Sequence, residues 1–243
     1  MNALQNTVKL RNIRDLMLPL IAGKRLLDVG CIGHDYEWRR KAGTFYFADF
    51  LGTAAKVKGI DIVCEGVESA QREGYEVELA NAEFFIDEGN YDVIFAGELI
   101  EHLSNPGHFL RCAFQNLTDD GILVLTTPNA FSLSRIAKCV VRFSNEPPVN
   151  PEHTCYFTPG TLNQLVTREG FVIRKLYYAD YDYGKERMPW WKSMFLKCNF
   201  IFSDLLSQFS QSFVVVLGKG VSVVSSPSLY NVAPRHGHAE SNG

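Results

Sequence analysis

The stretch Leu26-Leu27-Asp28-Val29-Gly30-Cys31-Ile32-Gly33-His34 constrains this chain more than any other. Leu26, Leu27 and Val29 read as the buried end of a parallel strand, and Gly30 and Gly33 let the chain bend tightly with no side chain in the way. Asp28 puts a carboxylate at that strand's end, where strong donors from backbone N–H groups or a bound ligand are needed to satisfy it. In open α/β sheets ligands lie outside the carboxyl ends of the strands, so this turn is the leading candidate for a binding site.

The rest of the chain alternates in the same style. Strand-like runs fall at residues 25–29, 57–62, 75–79, 91–96, 122–127, 171–178 and 212–217, with helical patterns at 65–73, 106–117, 131–143 and 161–169 between them. Ahead of the first strand, Leu4, Val8, Ile13, Leu16, Met17 and Leu20 suggest an amphipathic helix within residues 4–22, ended near Pro19. This alternation predicts one α/β domain over residues 1–219: a Rossmann-like, seven-stranded, mostly parallel sheet with helices on both faces. With 243 residues, 46% of them hydrophobic, such a sheet and its helices use nearly the whole chain.

Two registers compete for the second strand. One ends Phe45-Tyr46-Phe47 at Asp49; the other ends residues 57–62 at Asp61 and is preferred, because Leu51, Ala54 and Ala55 can finish a helix before Lys58-Gly59. Residues 179–211 interrupt the regular pattern with Trp190, Trp191, Phe195 and Phe200 among lysines and arginines. They suit a cap over an apolar substrate, an oligomer contact, or a membrane-surface contact through 185–209. Residues 220–243, with His236 and His238, read as a disordered tail.

Lys and Arg total 24 against 27 Asp and Glu, a net charge of −3 that gives no footprint for nucleic-acid binding. Six scattered cysteines without a CxxC pair read as reduced thiols, and no metal-ligand motif is expected. No signal-length apolar core opens the chain and no long apolar run follows, so a cytoplasmic location is expected. Gly30-Cys31-Ile32-Gly33 supplies only the end of a dinucleotide fingerprint, and a nearby acid would repel a pyrophosphate, which disfavours a nicotinamide-dependent oxidoreductase. The phosphate-loop pattern is not met either.

Four ordered pieces carry a family likeness: Leu26-Leu27-Asp28-Val29-Gly30-Cys31; Gly59-Ile60-Asp61-Ile62; Tyr91-Asp92-Val93-Ile94 followed by Glu98-Leu99-Ile100-Glu101-His102-Leu103; and Gly121-Ile122-Leu123-Val124-Leu125-Thr126-Thr127-Pro128-Asn129. The block from Glu152-His153 to Thr161-Leu162 adds a fifth. In this the chain resembles the class I S-adenosylmethionine-dependent methyltransferases, and within them the small-molecule ubiquinone-biosynthesis O-methyltransferase type. The resemblance implies S-adenosyl-L-methionine as cofactor and an antiparallel last strand. It implies that Asp28, Gly30, Cys31 and Gly33 meet the methionine moiety together with Ala96, Gly97 and Glu98. Asp61 and Ile62 would take the ribose side, with Asn81, Ala82 and Glu83 by the adenine. Ile32 and His34 put bulk where the family favours glycine, which leaves open a non-catalytic binding or scaffold protein that keeps the fold. The spacing from Asp28 to Asp61 is longer than usual for the family, so an extended first crossover is expected.

Methyl transfer from a sulfonium is an in-line displacement that rests on positioning, and a hydroxyl acceptor gains from a base near neutral pH. His153 is the first candidate for that base and His102 the second, with Tyr156 and Arg135 as acceptor contacts. The expected reaction is an O-methyl transfer to an apolar, amphiphilic or glycan-precursor small molecule.

Overall fold

In a computed structural model, residues 8–33, 36–43, 45–87, 90–142, 150–180, 204 and 206–220 are described. The expectations for His34, for most of the 179–211 segment and for nearly all of the 220–243 tail fall outside these residues. Eight strands form one sheet: β1 (Val8–Leu10), β2 (Arg25–Val29), β3 (Lys56–Asp61), β4 (Val77–Leu79), β5 (Tyr91–Gly97), β6 (Leu117–Pro128), β7 (Phe171–Ala179) and β8 (Ser212–Lys219). Their spatial order is β1-β7-β8-β6-β5-β2-β3-β4. Neighbours run parallel except at β8, which is antiparallel to both β6 and β7. The antiparallel last strand is therefore as expected.

The seven-strand expectation is corrected to eight. Residues 8–10 form no helix; they pair in parallel with Tyr177, Tyr178 and Ala179 at the sheet's edge. Helix α1 (Ile13–Ile21) starts only after Asn12, whose side chain accepts the Arg14 N–H at 3.0 Å. Pro19 lies inside this helix and does not end it. It leaves the Asp15 carbonyl without its i+4 donor, in a helix that stops two residues later after burying Ile13, Met17 and Ile21 on one face. The lengthened first crossover holds two short helices, α2 (Tyr36–Ala42) and α3 (Tyr46–Leu51). Next come α4 (Cys64–Arg72), α5 (Pro106–Asn116), α6 (Leu133–Arg142) and α7 (Pro159–Arg168).

Strand residues alternate between two cores. Leu27, Val29, Ile94, Ala96, Leu123, Leu125, Phe213 and Val215 face one side with Phe109 and Leu110 of α5 and Leu162 of α7. Leu26, Val93, Phe95, Val124, Val214 and Val216 face the other with Met17 of α1, Phe47 and Phe50 of α3 and Val67 of α4. Side chains that alternate at period two bury both faces, which is why these runs read as continuously apolar. Parallel pairing also brings the carboxyl ends of β2, β3, β5 and β6 to one edge. No helix among the described residues is long and apolar enough to cross a membrane.

Candidate cofactor and acceptor site

At that edge the β2 turn is held by the acid of its neighbour. Asp61 accepts the N–H groups of Ile32 at 2.9 Å and Gly33 at 3.0 Å on one oxygen, and that of Val63 at 3.0 Å on the other. Gly30 turns with φ +74° and Gly33 with φ +66°, conformations that a side chain would strain. The Gly30 N–H also reaches the Ile60 carbonyl at 2.8 Å. Asp49, the other candidate acid, lies in α3 and pairs with Arg14 at 2.6 Å in an exposed position. The strand-end acid is Asp61.

Ile32 turns its bulk away from the turn. Its side chain is fully buried, and so close over Gly66 of α4 that a Cβ there would stand 2.3 Å from Ile32 Cγ2. Cys31 likewise points inward, against Gly59. Arg39 of α2 donates to the Cys31 and Ile32 carbonyls at 3.3 and 3.0 Å, bracing the turn from outside. Asp28 is buried, and burial pushes its carboxyl up to about 7; the Arg39 charge opposes this and the Asp61 charge adds to it.

Beyond Asp61, Ile62 and Leu79, the latter paired with Asp61 in the sheet, stand 69% and 52% exposed, an apolar lip beside the acid that suits a flat aromatic base. Asn81 lies exposed in the same loop, its side chain accepting the Glu83 N–H at 2.9 Å. Ala82 packs in the core, and the buried Glu83 carboxylate accepts the Asn105 N–H at 2.8 Å just before α5. Of this trio, only Asn81 has an exposed side chain; the backbone N–H and carbonyl of Glu83 are taken by Asn81 and by the Cys112 thiol. Ala96 is core, and Gly97 closes β5.

Glu98 follows with φ +51°, a left-handed backbone that costs a non-glycine residue energy and persists only where its surroundings enforce it. Thr126 at the end of β6 enforces it: the Glu98 N–H meets the Thr126 carbonyl at 3.1 Å and hydroxyl at 2.9 Å, and that hydroxyl donates to Glu98 Oε1 at 3.1 Å. Three residues on, Glu101 is fully buried. Its Oε2 accepts the Thr127 hydroxyl at 3.0 Å, while Oε1 has no hydrogen-bond partner among the described residues. Burial pushes both carboxyls up, and at Glu101 the neighbouring Glu98 charge pushes further; Thr126 and Ser212 oppose the rise at Glu98, Thr127 at Glu101, and Arg135 at both.

The Glu101 carbonyl accepts both the N–H and the hydroxyl of Thr154, at 2.8 and 3.0 Å, which draws the 150–158 loop against the short turn Ile100–His102. That contact sets His153 beside His102, ring centroids 4.6 Å apart and nearly perpendicular. Tyr156 packs on His153 at 5.3 Å, and Arg135 lies over the Tyr156 ring at 4.1 Å. The donor atoms of Glu101, His102 and His153 fall within 4.8 Å of one another. Both histidines and their two suggested neighbours thus meet in one cluster. Glu101 was not singled out from the sequence; the signal was its place three residues after Glu98 and next to His102.

A parallel sheet interrupted by one antiparallel strand, with a glycine turn held by the next strand's acid, defines the class I methyltransferase fold. The comparisons agree. A family model described as a methyltransferase domain matches residues 3–176, and the chain belongs to that family, whose cofactor is S-adenosylmethionine. The mitochondrial ubiquinone biosynthesis O-methyltransferase of Mus musculus is 30% identical over 126 residues, 47% of this chain and 31% of that protein. The ubiquinone biosynthesis O-methyltransferase of Burkholderia lata is 30% identical over 117 residues, 45% of this chain and 46% of that protein. The matched part thus spans less than half the length of either relative. A solved S-adenosylmethionine-dependent methyltransferase from Archaeoglobus fulgidus shares the fold at a TM-score of 0.54 and 16% identity, covering 85% of this chain and 91% of that one. Family membership sets aside the nicotinamide reading.

Proposed function

We propose that this chain transfers a methyl group from S-adenosylmethionine to a hydroxyl oxygen of a small amphiphilic molecule. The observation that carries the reading is one sheet edge holding both a glycine turn braced by Asp61 and, two strands away, the cluster of Glu101, His102 and His153. The cofactor, when bound, supplies an electrophilic methyl on sulfur. Beyond the three amides it already holds, Asp61 keeps a lone pair on Oδ1 for a ribose hydroxyl, and Ile62, Leu79 and Asn81 flank the base. Asp28, Gly30 and Gly97 border the methionine end, where the forced backbone of Glu98 fixes the wall. His153 takes the acceptor's proton, oriented by His102 and Tyr156. The two named relatives are O-methyltransferases by name, which supports oxygen over nitrogen.

Calorimetric titration with S-adenosylmethionine tests the reading. Asp61→Ala is expected to weaken binding at least about tenfold in a folded protein, the scale of losing a charge-assisted hydrogen bond. Folded wild type that gives no binding heat would establish the scaffold alternative instead. With a panel of phenols bearing short and long alkyl tails, His153→Ala is expected to lower turnover at saturating cofactor by about a hundredfold.

The unpartnered Glu101 Oε1 and the closeness of its histidine neighbours favour a second reading of the same cluster. A divalent cation held by Glu101, His102 and His153 would bind the acceptor oxygen and lower its pKa. Chelation separates the two: turnover lost to a chelator and restored by a divalent metal supports the cation, and turnover indifferent to it supports the base.

A further inference from the structure

Helix α6 differs from the longer helices around it. Among the described residues, α1, α4, α5 and α7 each bury part of one face, whereas no side chain described in α6 is buried. Yet α6 is amphipathic. Leu133, Ile136, Ala137, Val140 and Val141 recur at the three- and four-residue spacing that lines one helical face. Val140 and Val141 stand 66% and 77% exposed, and Phe131 just ahead of the helix stands 61% exposed.

The charge around this stripe is one-sided. From Gly121 to Asn145 the sequence has no Asp or Glu, while Arg135, Lys138 and Arg142 all fall in the helix, in a chain whose net charge is −3. An apolar stripe with Arg135 and Lys138 on the opposite, polar face has the character of an interfacial helix, lying in the headgroup plane with its apolar side toward the acyl chains.

We propose that α6 is a docking surface for an anionic phospholipid membrane. The helix follows the carboxyl end of β6, and its Arg135 stacks on Tyr156, which in turn packs on His153. Docking through α6 therefore brings the acceptor cluster to headgroup level. An amphiphile can then offer its polar head to the site while its tail stays in lipid. That last step rests on the function proposed above; the docking itself does not.

Flotation of the full chain with vesicles tests this. Vesicles of phosphatidylcholine with about one-third phosphatidylglycerol are expected to carry the protein, and vesicles of phosphatidylcholine alone to carry far less. The double variant Val140→Asp/Val141→Asp is expected to lose partitioning by about tenfold or more, and Lys138→Glu by about fivefold, both keeping wild-type affinity for S-adenosylmethionine and wild-type melting. Wild type that ignores anionic vesicles, or a double variant that floats as well as wild type, would overturn the proposal. So would a wild-type oligomer that the double variant splits into monomers, because the stripe would then meet a second copy. A double variant that melts many degrees lower would also overturn it, since the stripe would then be covered within the chain. Flotation without cofactor binding would leave the docking standing and defeat only the function proposed above.

Discussion

Asp28 and Glu101 are the residues whose energetics most clearly depart from ordinary packing. Burial pushes the Asp28 carboxyl from 3.8 to about 7, so between those values the folded chain holds a proton that the unfolded chain has released. Its contribution to stability is therefore present below its unfolded pKa and lost as pH rises through about 7. Asp28→Asn removes the titration. Thermal melts of the cofactor-free protein should show wild type losing ground to the variant as pH rises through this window, by roughly 2–4 °C for each kcal/mol. Parallel melting curves for the two proteins would contradict this.

Glu101→Gln addresses the other buried acid. It keeps the shape and removes a group whose charged form burial disfavours, so melting at neutral pH should rise or hold while turnover falls by about tenfold or more. A matched loss of both would make Glu101 a packing residue. The difference between Asp61 and Glu101 also shows how far the sequence is legible. Asp61 ends a strand with a recognisable pattern, so chemistry and position coincide along the chain. The Glu101–His153 association depends on the Thr154 contact, which closes a gap of about fifty residues that no local pattern records.

At the scale of elements, the central strands and the helices after β3 and β5 are readable because their apolar runs and caps agree. Asn105, for example, accepts the His108 N–H at 3.1 Å at the start of α5, with Pro106 in the first turn. β1 was not readable: three residues carry no usable period, and only their pairing with β7 makes them a strand. The two helices of the first crossover were obscured because Tyr36, Phe45 and Phe47 pack in a chain that reaches Tyr75, while Phe50 turns to Phe95, so they do not follow a single helical stripe.

Two predictions belong here. Gly66→Ala drives a Cβ into Ile32 and through it into the β2 turn, so it should cost about 1–3 kcal/mol in denaturant unfolding and also weaken S-adenosylmethionine binding. An effect on stability alone would mean that α4 does not support the turn. Lys9→Met in β1 removes the ammonium 2.7 Å from the buried Asp180 at the end of β7, and should destabilise by about 2 kcal/mol or more. Cofactor affinity should be unchanged, because that pair lies at the far edge of the sheet from β3.

For the whole molecule, alternation along the chain was enough to foresee one parallel sheet with two cores. It could not foresee the position of β8, since a buried apolar run such as Phe213-Val214-Val215-Val216-Leu217 carries no mark of direction or neighbour. Its antiparallel direction came from resemblance and holds in the structure, whereas its place between β6 and β7 emerges only from the fold. Its consequence concerns how the sheet is assembled. A ribosome delivers β2 to β6 as one contiguous half and β7 well afterwards, but the two halves share no strand pairing until residues 212–219 emerge between them. Until then β6 and β7 each present an open, apolar edge, the kind of surface on which nascent chains associate with one another.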